Sequence, residues 1–284
     1  MTRPLGVNTW VWTSPTDTER LAQYVPKVRT MGFDMIEVAI EDEAVLDYDR
    51  AAEILSEHEC GVSVTAAMGP GRDLTVDDDD VRAATVAYVE HCIDACETMG
   101  ARNLVGPIYA TVGRVWRTTP AEREAVLDRL CGHLGALAAY AHERGVTLGI
   151  EPLNRFETSL VNTAEQVMEI VERVDHPGCG VLLDTFHMNI EEKSLGAAIR
   201  RCGAKLVHVH ACENDRGAPG TGNVPWGEVA AALDEVGYDG PVVIESFTSE
   251  VVSIARAAAI WRTFEPSQDA LAETGLAFLR ELLA

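Results

Sequence analysis

Four acid or imidazole side chains each stand at the end of an apolar run in the second half of the chain: Glu151 in Ile150-Glu151-Pro152, Asp184 in Leu183-Asp184-Thr185, His210 in Val209-His210-Ala211 and Glu245 in Ile244-Glu245-Ser246. A single carboxylate at a strand end is ordinarily a cap or a solvated group. Four in succession are hard to place as surface chemistry, because gathering them unpaired would cost charge repulsion and desolvation. A bound divalent cation removes that cost. Three carboxylates and one imidazole are mainly hard oxygen ligands, suited to Mn²⁺, Co²⁺ or Mg²⁺ with open positions for substrate or water rather than to a closed structural zinc site. Other polar residues follow the quartet closely: Asn154, Arg155 and Glu157 after the first, His187 after Asp184, and Arg216 after His210. A cation flanked by a carboxylate, an imidazole and a guanidinium suits a small polyoxygenated molecule.

The elements that must carry these residues are legible as a rhythm. A short aliphatic run followed by an amphipathic stretch of helical length recurs along the chain, and eight such units fit. The predicted strands are Leu5 to Trp12, Phe33 to Ala39, Val62 to Ala67, Asn103 to Ile108, Val146 to Glu151, Gly180 to Asp184, Lys205 to His210 and Val242 to Glu245. Near-continuous apolar runs of this kind are expected of parallel strands covered on both faces. Thr119-Pro120-Ala121-Glu122 and Thr163-Ala164-Glu165-Gln166 are capping-box starts. Gly32, Gly61, Gly100, Gly145 and Gly237 each sit where a left-handed residue ends a helix. Pro26, inside the first helical pattern, predicts a kink or a late start. The fold class is therefore α/β, with residues 1–284 forming a single (β/α)8 barrel. A doubly wound sheet is the weaker alternative, since no GxGxxG follows the first strand. In a barrel of this kind the catalytic groups sit where strands end, which is where the quartet lies.

Composition narrows the partners. The 284 residues are 47% hydrophobic with a formal net charge of −22, so a phosphate backbone or an anionic membrane would meet a repulsive field. No run approaches the roughly 18 apolar residues of a membrane span, and the start of the chain has no signal-peptide core, which predicts a cytoplasmic protein. The seven cysteines are scattered with no CxxC pair and are expected to be reduced and mostly buried. Cys92 and Cys96 are four apart on a predicted helix, but no second pair completes a zinc site.

Glu151-Pro152-Leu153-Asn154-Arg155-Phe156-Glu157, Asp184-Thr185-Phe186-His187-Met188-Asn189-Ile190-Glu191-Glu192, His210 through Arg216-Gly217, and Val243-Ile244-Glu245-Ser246-Phe247 resemble the ketose 3-epimerases. That family, typified by D-tagatose 3-epimerase and D-allulose (D-psicose) 3-epimerase, belongs to the xylose-isomerase-like TIM barrels. The match in order and spacing spans about residues 145 to 262; the first half matches in rhythm and little more. The resemblance implies that Glu151, Asp184, His210 and Glu245 hold one divalent ion, Mn²⁺ first, with Co²⁺ or Mg²⁺ as alternatives. It implies that Glu157, His187 and Arg216 bind the oxygens at the C1 to C3 end of a ketose, and that the chain is a homodimer or homotetramer. Glu151 and Glu245 would flank C3 on opposite faces, one removing its proton and the other returning one.

The remaining candidates are less sharply defined. His208, two residues before His210, points to the same face one layer deeper and reads as a packed or supporting histidine. Of the aromatics past the early strand ends, Trp12 and Trp116 are the candidates for lining the distal end of a sugar. Gly220-Thr221-Gly222 reads equally as a lid or a tight turn. Related aldose-ketose, hydroxypyruvate and keto-inositol isomerases can present a similar rim and are the nearest rival reading. A DNA-repair endonuclease on the same barrel is disfavoured by the net charge, and a non-catalytic sugar-binding barrel is the third alternative.

Overall fold

The computed structural model describes residues 3–284. All eight predicted strands form: β1 (Leu5–Asn8), β2 (Met35–Ala39), β3 (Gly61–Thr65), β4 (Asn103–Gly106), β5 (Thr147–Ile150), β6 (Cys179–Asp184), β7 (Leu206–Ala211) and β8 (Val242–Ile244). Each pairs in parallel with the next, and β1 pairs with β8, so the sheet closes into a barrel. Helices α1 (Thr18–Met31), α2 (Tyr48–Glu57), α3 (Asp79–Met99), α4 (Pro120–Glu143), α5 (Ala164–Val174), α6 (Thr185–Glu191), α7 (Leu195–Cys202), α8 (Trp226–Glu235), α9 (Val252–Ala257) and α10 (Gln268–Leu282) make the outer layer and the connections. The main core lies between strands and helices, where residues such as Leu21, Ile93 and Leu134 are fully buried. A second apolar cluster of Trp10, Ala39, Phe247, Ile254 and Ile260 lies at the end of β2 and beyond the ends of β1 and β8.

Several local expectations are corrected. β1 stops at Asn8 rather than Trp12, because the Asn8 carboxamide accepts the Trp10 N–H at 2.8 Å and turns Thr9–Val11 into a 3₁₀ helix. Helix α1 starts well before Pro26, capped by Asp17, and runs through the proline. The residue whose carbonyl loses its partner, Ala22, is exposed and free to bind water. Gly61 is the first residue of β3 with ordinary backbone angles, and the left-handed residue before that strand is Glu59 (φ 48°). At Gly32, Gly100, Gly145 and Gly237 φ is positive, as anticipated. The box at Thr119 and Glu122 is complete. At Thr163 only half forms, because Gln166 accepts the Asn162 N–H instead of reaching back to Thr163.

One irregularity matters for the site. The β6–β7 register shifts between Val181 and Leu182, so that Leu182 stands opposite His208 and Asp184 opposite His210. This brings a strand-terminal carboxylate level with the imidazole of the neighbouring strand.

Candidate active site

The quartet converges as its spacing predicted. Glu151 follows the last residue of β5, Asp184 ends β6, His210 lies near the end of β7 and Glu245 follows β8. All four are buried, and one ligating atom from each lies within 4.8 Å of the others. Asp184 also caps α6, its Oδ1 accepting the Phe186 N–H at 2.7 Å. The His210 ring is held from one side only: Nε2 lies 2.7 Å from Glu37 Oε1, while Nδ1 sits 3.3 Å from Glu245 Oε1 without a formed hydrogen bond. A fully buried ring nitrogen facing three carboxylates and lacking a partner is what a cation ligand requires, so these residues fit a divalent ion.

The electrostatics are those of crowded like charges. Burial, then the neighbouring Glu245, push the Glu151 carboxyl well above the usual carboxylate range. Burial also opposes ionisation of Glu245, but His210 and Arg216 outweigh it and bring Glu245 down to about 2. For His210, burial is overcome by the Glu245 and Glu37 carboxylates, which raise it well above an ordinary imidazole. Two adjacent carboxyls are thus driven in opposite directions, the pattern expected where one must hold a proton and the other not.

Arg216, His187 and Glu157 are brought to the same place. Arg216 lies in the loop after β7 at a left-handed φ of 71°, its carbonyl fixed by the Ser246 hydroxyl at 2.7 Å. Its Nη1 donates to Asp184 Oδ2 at 2.5 Å and to Glu245 Oε2 at 2.6 Å, and its guanidinium lies over the Phe186 ring at 4.1 Å. His187, in the first turn of α6, accepts the Asn154 backbone N–H at Nδ1 (3.0 Å), and its Nε2 lies 3.1 Å from Arg216 Nη2. That Nε2 lies 3.6 Å from Glu151 Oε1 and 3.7 Å from Asp184 Oδ2. Burial drives His187 down to about 3 against the pull of Asp184, so the ring is neutral. Glu157 is half-buried, accepts the Asn154 side-chain amide at 2.7 Å and is raised by burial.

The two tryptophans are placed differently. Trp12 donates its indole N–H to Asp269 of α10 at 2.7 Å and stacks on Tyr24 of α1, so its polar atom is already committed away from the quartet. Trp116 stacks on the Arg114 guanidinium at 3.8 Å, and its backbone is bonded to Ser159, close in sequence to Glu157. The aromatics that border the site are Phe186 and Phe247, both faced by the Arg216 guanidinium, and Trp10 packs on Phe247 at 5.5 Å. Gly220-Thr221-Gly222 forms a clamped turn: the buried Glu213 carboxylate accepts from Gly220 N, Val224 N and the Trp226 indole. A Cβ at Gly220, where φ is 89°, would strike the Phe278 ring.

Sequence reasoning missed Glu37, Ser63 and the hub role of Asn154. The available signal for Glu37 was an acid inside the apolar run Met35-Ile36-Glu37-Val38-Ala39, where a parallel strand ordinarily carries none. His208 packs as expected behind His210, ring edge to ring face at 5.2 Å.

A family model described as xylose isomerase-like TIM barrel matches residues 25–282. A ketose 3-epimerase of Arthrobacter globiformis is 33% identical over 281 residues, covering 98% of this chain and 96% of that protein. A D-psicose 3-epimerase of Agrobacterium fabrum is 33% identical over 272 residues, covering 93% of this chain and 94% of that protein. Among solved structures, a D-allulose 3-epimerase from Methylomonas sp. in complex with D-allulose superposes with a TM-score of 0.92 at 28% identity, covering 99% of this chain and 97% of that one.

Proposed function

Because the chain belongs to the xylose isomerase-like TIM barrels and, within them, to the ketose 3-epimerases, isomerases acting on carbohydrates, we propose that it epimerises a free ketose at C3. Suitable substrate pairs are D-fructose with D-allulose and D-tagatose with D-sorbose, and residues 1–284 act as one catalytic domain. The observation that carries this reading is the convergence of Glu151, Asp184, His210 and Glu245 within 4.8 Å, two glutamates among them. Those four residues would hold one divalent ion, Mn²⁺ first and Co²⁺ or Mg²⁺ as alternatives, which when bound would supply positive charge to offset the negative charge that develops on the ketose oxygens.

The chain's own groups do the rest. One of Glu151 and Glu245, ionised, takes the C3 proton, and the C–H electron pair moves into an enediolate spanning C2 and C3. The other, entering protonated, gives its proton to C3 from the opposite face, so configuration inverts and the two carboxyls exchange protonation states. The reverse reaction uses the same pair with roles exchanged. Neutral His187 offers a ring nitrogen, Arg216 a guanidinium and Glu157 an acceptor to the oxygens at the C1 to C3 end, which fixes the ketose for proton transfer.

Incubation with D-fructose and Mn²⁺ in D₂O tests the proposal: D-allulose should appear with deuterium at C3. An aldose product would move the chain to the aldose-ketose isomerases, and binding without exchange would leave a sugar-binding barrel.

A further inference from the structure

We propose that Glu37, on the opposite edge of the His210 ring from Glu245, is the positioning residue that fixes His210 with Nδ1 facing the metal-ligating carboxylates and thereby sets the affinity of the site for its ion. The inference rests on the metal reading above.

Glu37 is fully buried in the middle of β2 and is held at both oxygens. Oε1 accepts Asn8 Nδ2 at 2.9 Å and lies 2.7 Å from His210 Nε2. Oε2 accepts the Ser63 hydroxyl at 2.9 Å and faces His208 Nε2 at 2.8 Å, off that ring's hydrogen-bonding direction. The Asn8 amide has a fixed orientation, because its oxygen accepts the Trp10 N–H at 2.8 Å, so the group facing Glu37 is the NH₂. Three strands, β1, β2 and β3, thus hold one carboxylate beneath β7.

A carboxylate accepts only, so His210 must carry its proton on Nε2, and the lone pair of the neutral ring is then on Nδ1, toward Glu245. A half-turn of the ring about Cβ–Cγ would exchange Nδ1 for Cδ2 and break the bond to Glu37. Glu37 therefore selects both the tautomer and the rotamer that a cation requires. Glu37, His208 and His210 also form a compact cluster of metal-ligating types. A second ion there is disfavoured, because both Glu37 oxygens are taken by Asn8, Ser63 and His210, and binding would cost each of those donors its acceptor.

The test is Mn²⁺ titration calorimetry on wild type and Glu37→Gln, with the Co²⁺ visible spectrum of each. Loss of the charged acceptor should raise the Mn²⁺ dissociation constant about 10- to 100-fold and alter the Co²⁺ bands. At saturating Mn²⁺ the KM for ketose should stay near wild type, because Glu37 is not placed to touch substrate. A purely structural role would lower thermal stability and leave the Mn²⁺ dissociation constant and Co²⁺ bands of the folded protein unchanged, which would overturn the inference. Glu37→Asp, which keeps the charge but draws it back from His210, carries the same test if the glutamine variant does not fold. In wild type loaded with diamagnetic Mg²⁺ and labelled with ¹⁵N-histidine, His210 should show a slowly exchanging Nε2–H; a proton on Nδ1 would refute the assignment without any variant. If wild type itself binds no divalent ion, the metal reading of the quartet fails instead.

Discussion

Removing the Arg216 side chain separates two roles that the site superimposes. Arg216 Nη1 bonds Asp184 Oδ2 and Glu245 Oε2 at 2.5 and 2.6 Å, so in metal-free protein Arg216→Ala strips a buried cation from two buried carboxylates. Breaking a buried charge pair from one side costs about 3–5 kcal/mol, and the lower end applies here because the carboxylates can take up protons to relieve the charge. At about 2–4 °C per kcal/mol for a chain of this size class, the metal-free variant should melt roughly 6–12 °C below wild type. Mn²⁺ gives the same carboxylates a different cation, so saturating Mn²⁺ should close most of that gap, and Mn²⁺ affinity should not weaken. The kinetic loss persists. A charged hydrogen bond to substrate is worth about 1.5–3 kcal/mol, or about 10- to 150-fold in kcat/KM, for each ketose oxygen that Arg216 holds. Scanning calorimetry with and without Mn²⁺, beside ketose kinetics, measures both. Equal melting of metal-free wild type and variant would refute the charge argument, and wild-type kcat/KM in the Mn²⁺-loaded variant would refute the substrate role.

Glu151→Gln and Glu245→Gln should each lose about 10²- to 10⁴-fold in epimerisation, and a variant keeping one base should still exchange the C3 proton of one epimer with D₂O; near-wild-type turnover in either would overturn the two-base scheme. Because the Glu245 and Glu37 carboxylates hold His210 protonated well above an ordinary imidazole when no ion is present, and a ligating ring nitrogen must be unprotonated, binding Mn²⁺ should release a proton, and affinity should rise with pH until the raised pKa is passed. Calorimetry in two buffers of different ionisation enthalpy reads that release directly, and its absence counts against His210 as a ligand. His187, lowered from 6.5 to about 3, binds more protons unfolded than folded, so metal-free protein should lose stability as pH falls through that window. Melting curves of His187→Gln across the same pH range should lack that part of the slope.

The second half of the barrel was legible because each functional acid interrupts an apolar run at the strand end, and in a parallel barrel those ends meet on one rim. The rim itself therefore needed no long-range information. Glu37 did, since the partner that gives it meaning, His210, is 173 residues away and the two meet only when the barrel closes. Trp12 shows the opposite failure. Its position after the first apolar run suggested a pocket wall, yet the Asn8 side chain ends the strand four residues early, the chain turns, and the indole is delivered to Asp269 on the last helix. The same turn leaves Trp10 beside Phe247 and keeps the Asn8 amide free to hold Glu37. One asparagine thus decides which tryptophan packs on Phe247 and helps to support the histidine within the site. Asn8→Ala should consequently loosen both, weakening Mn²⁺ binding and disturbing the Trp10 environment, whereas a change confined to Trp10 fluorescence would separate the turn from the support of Glu37.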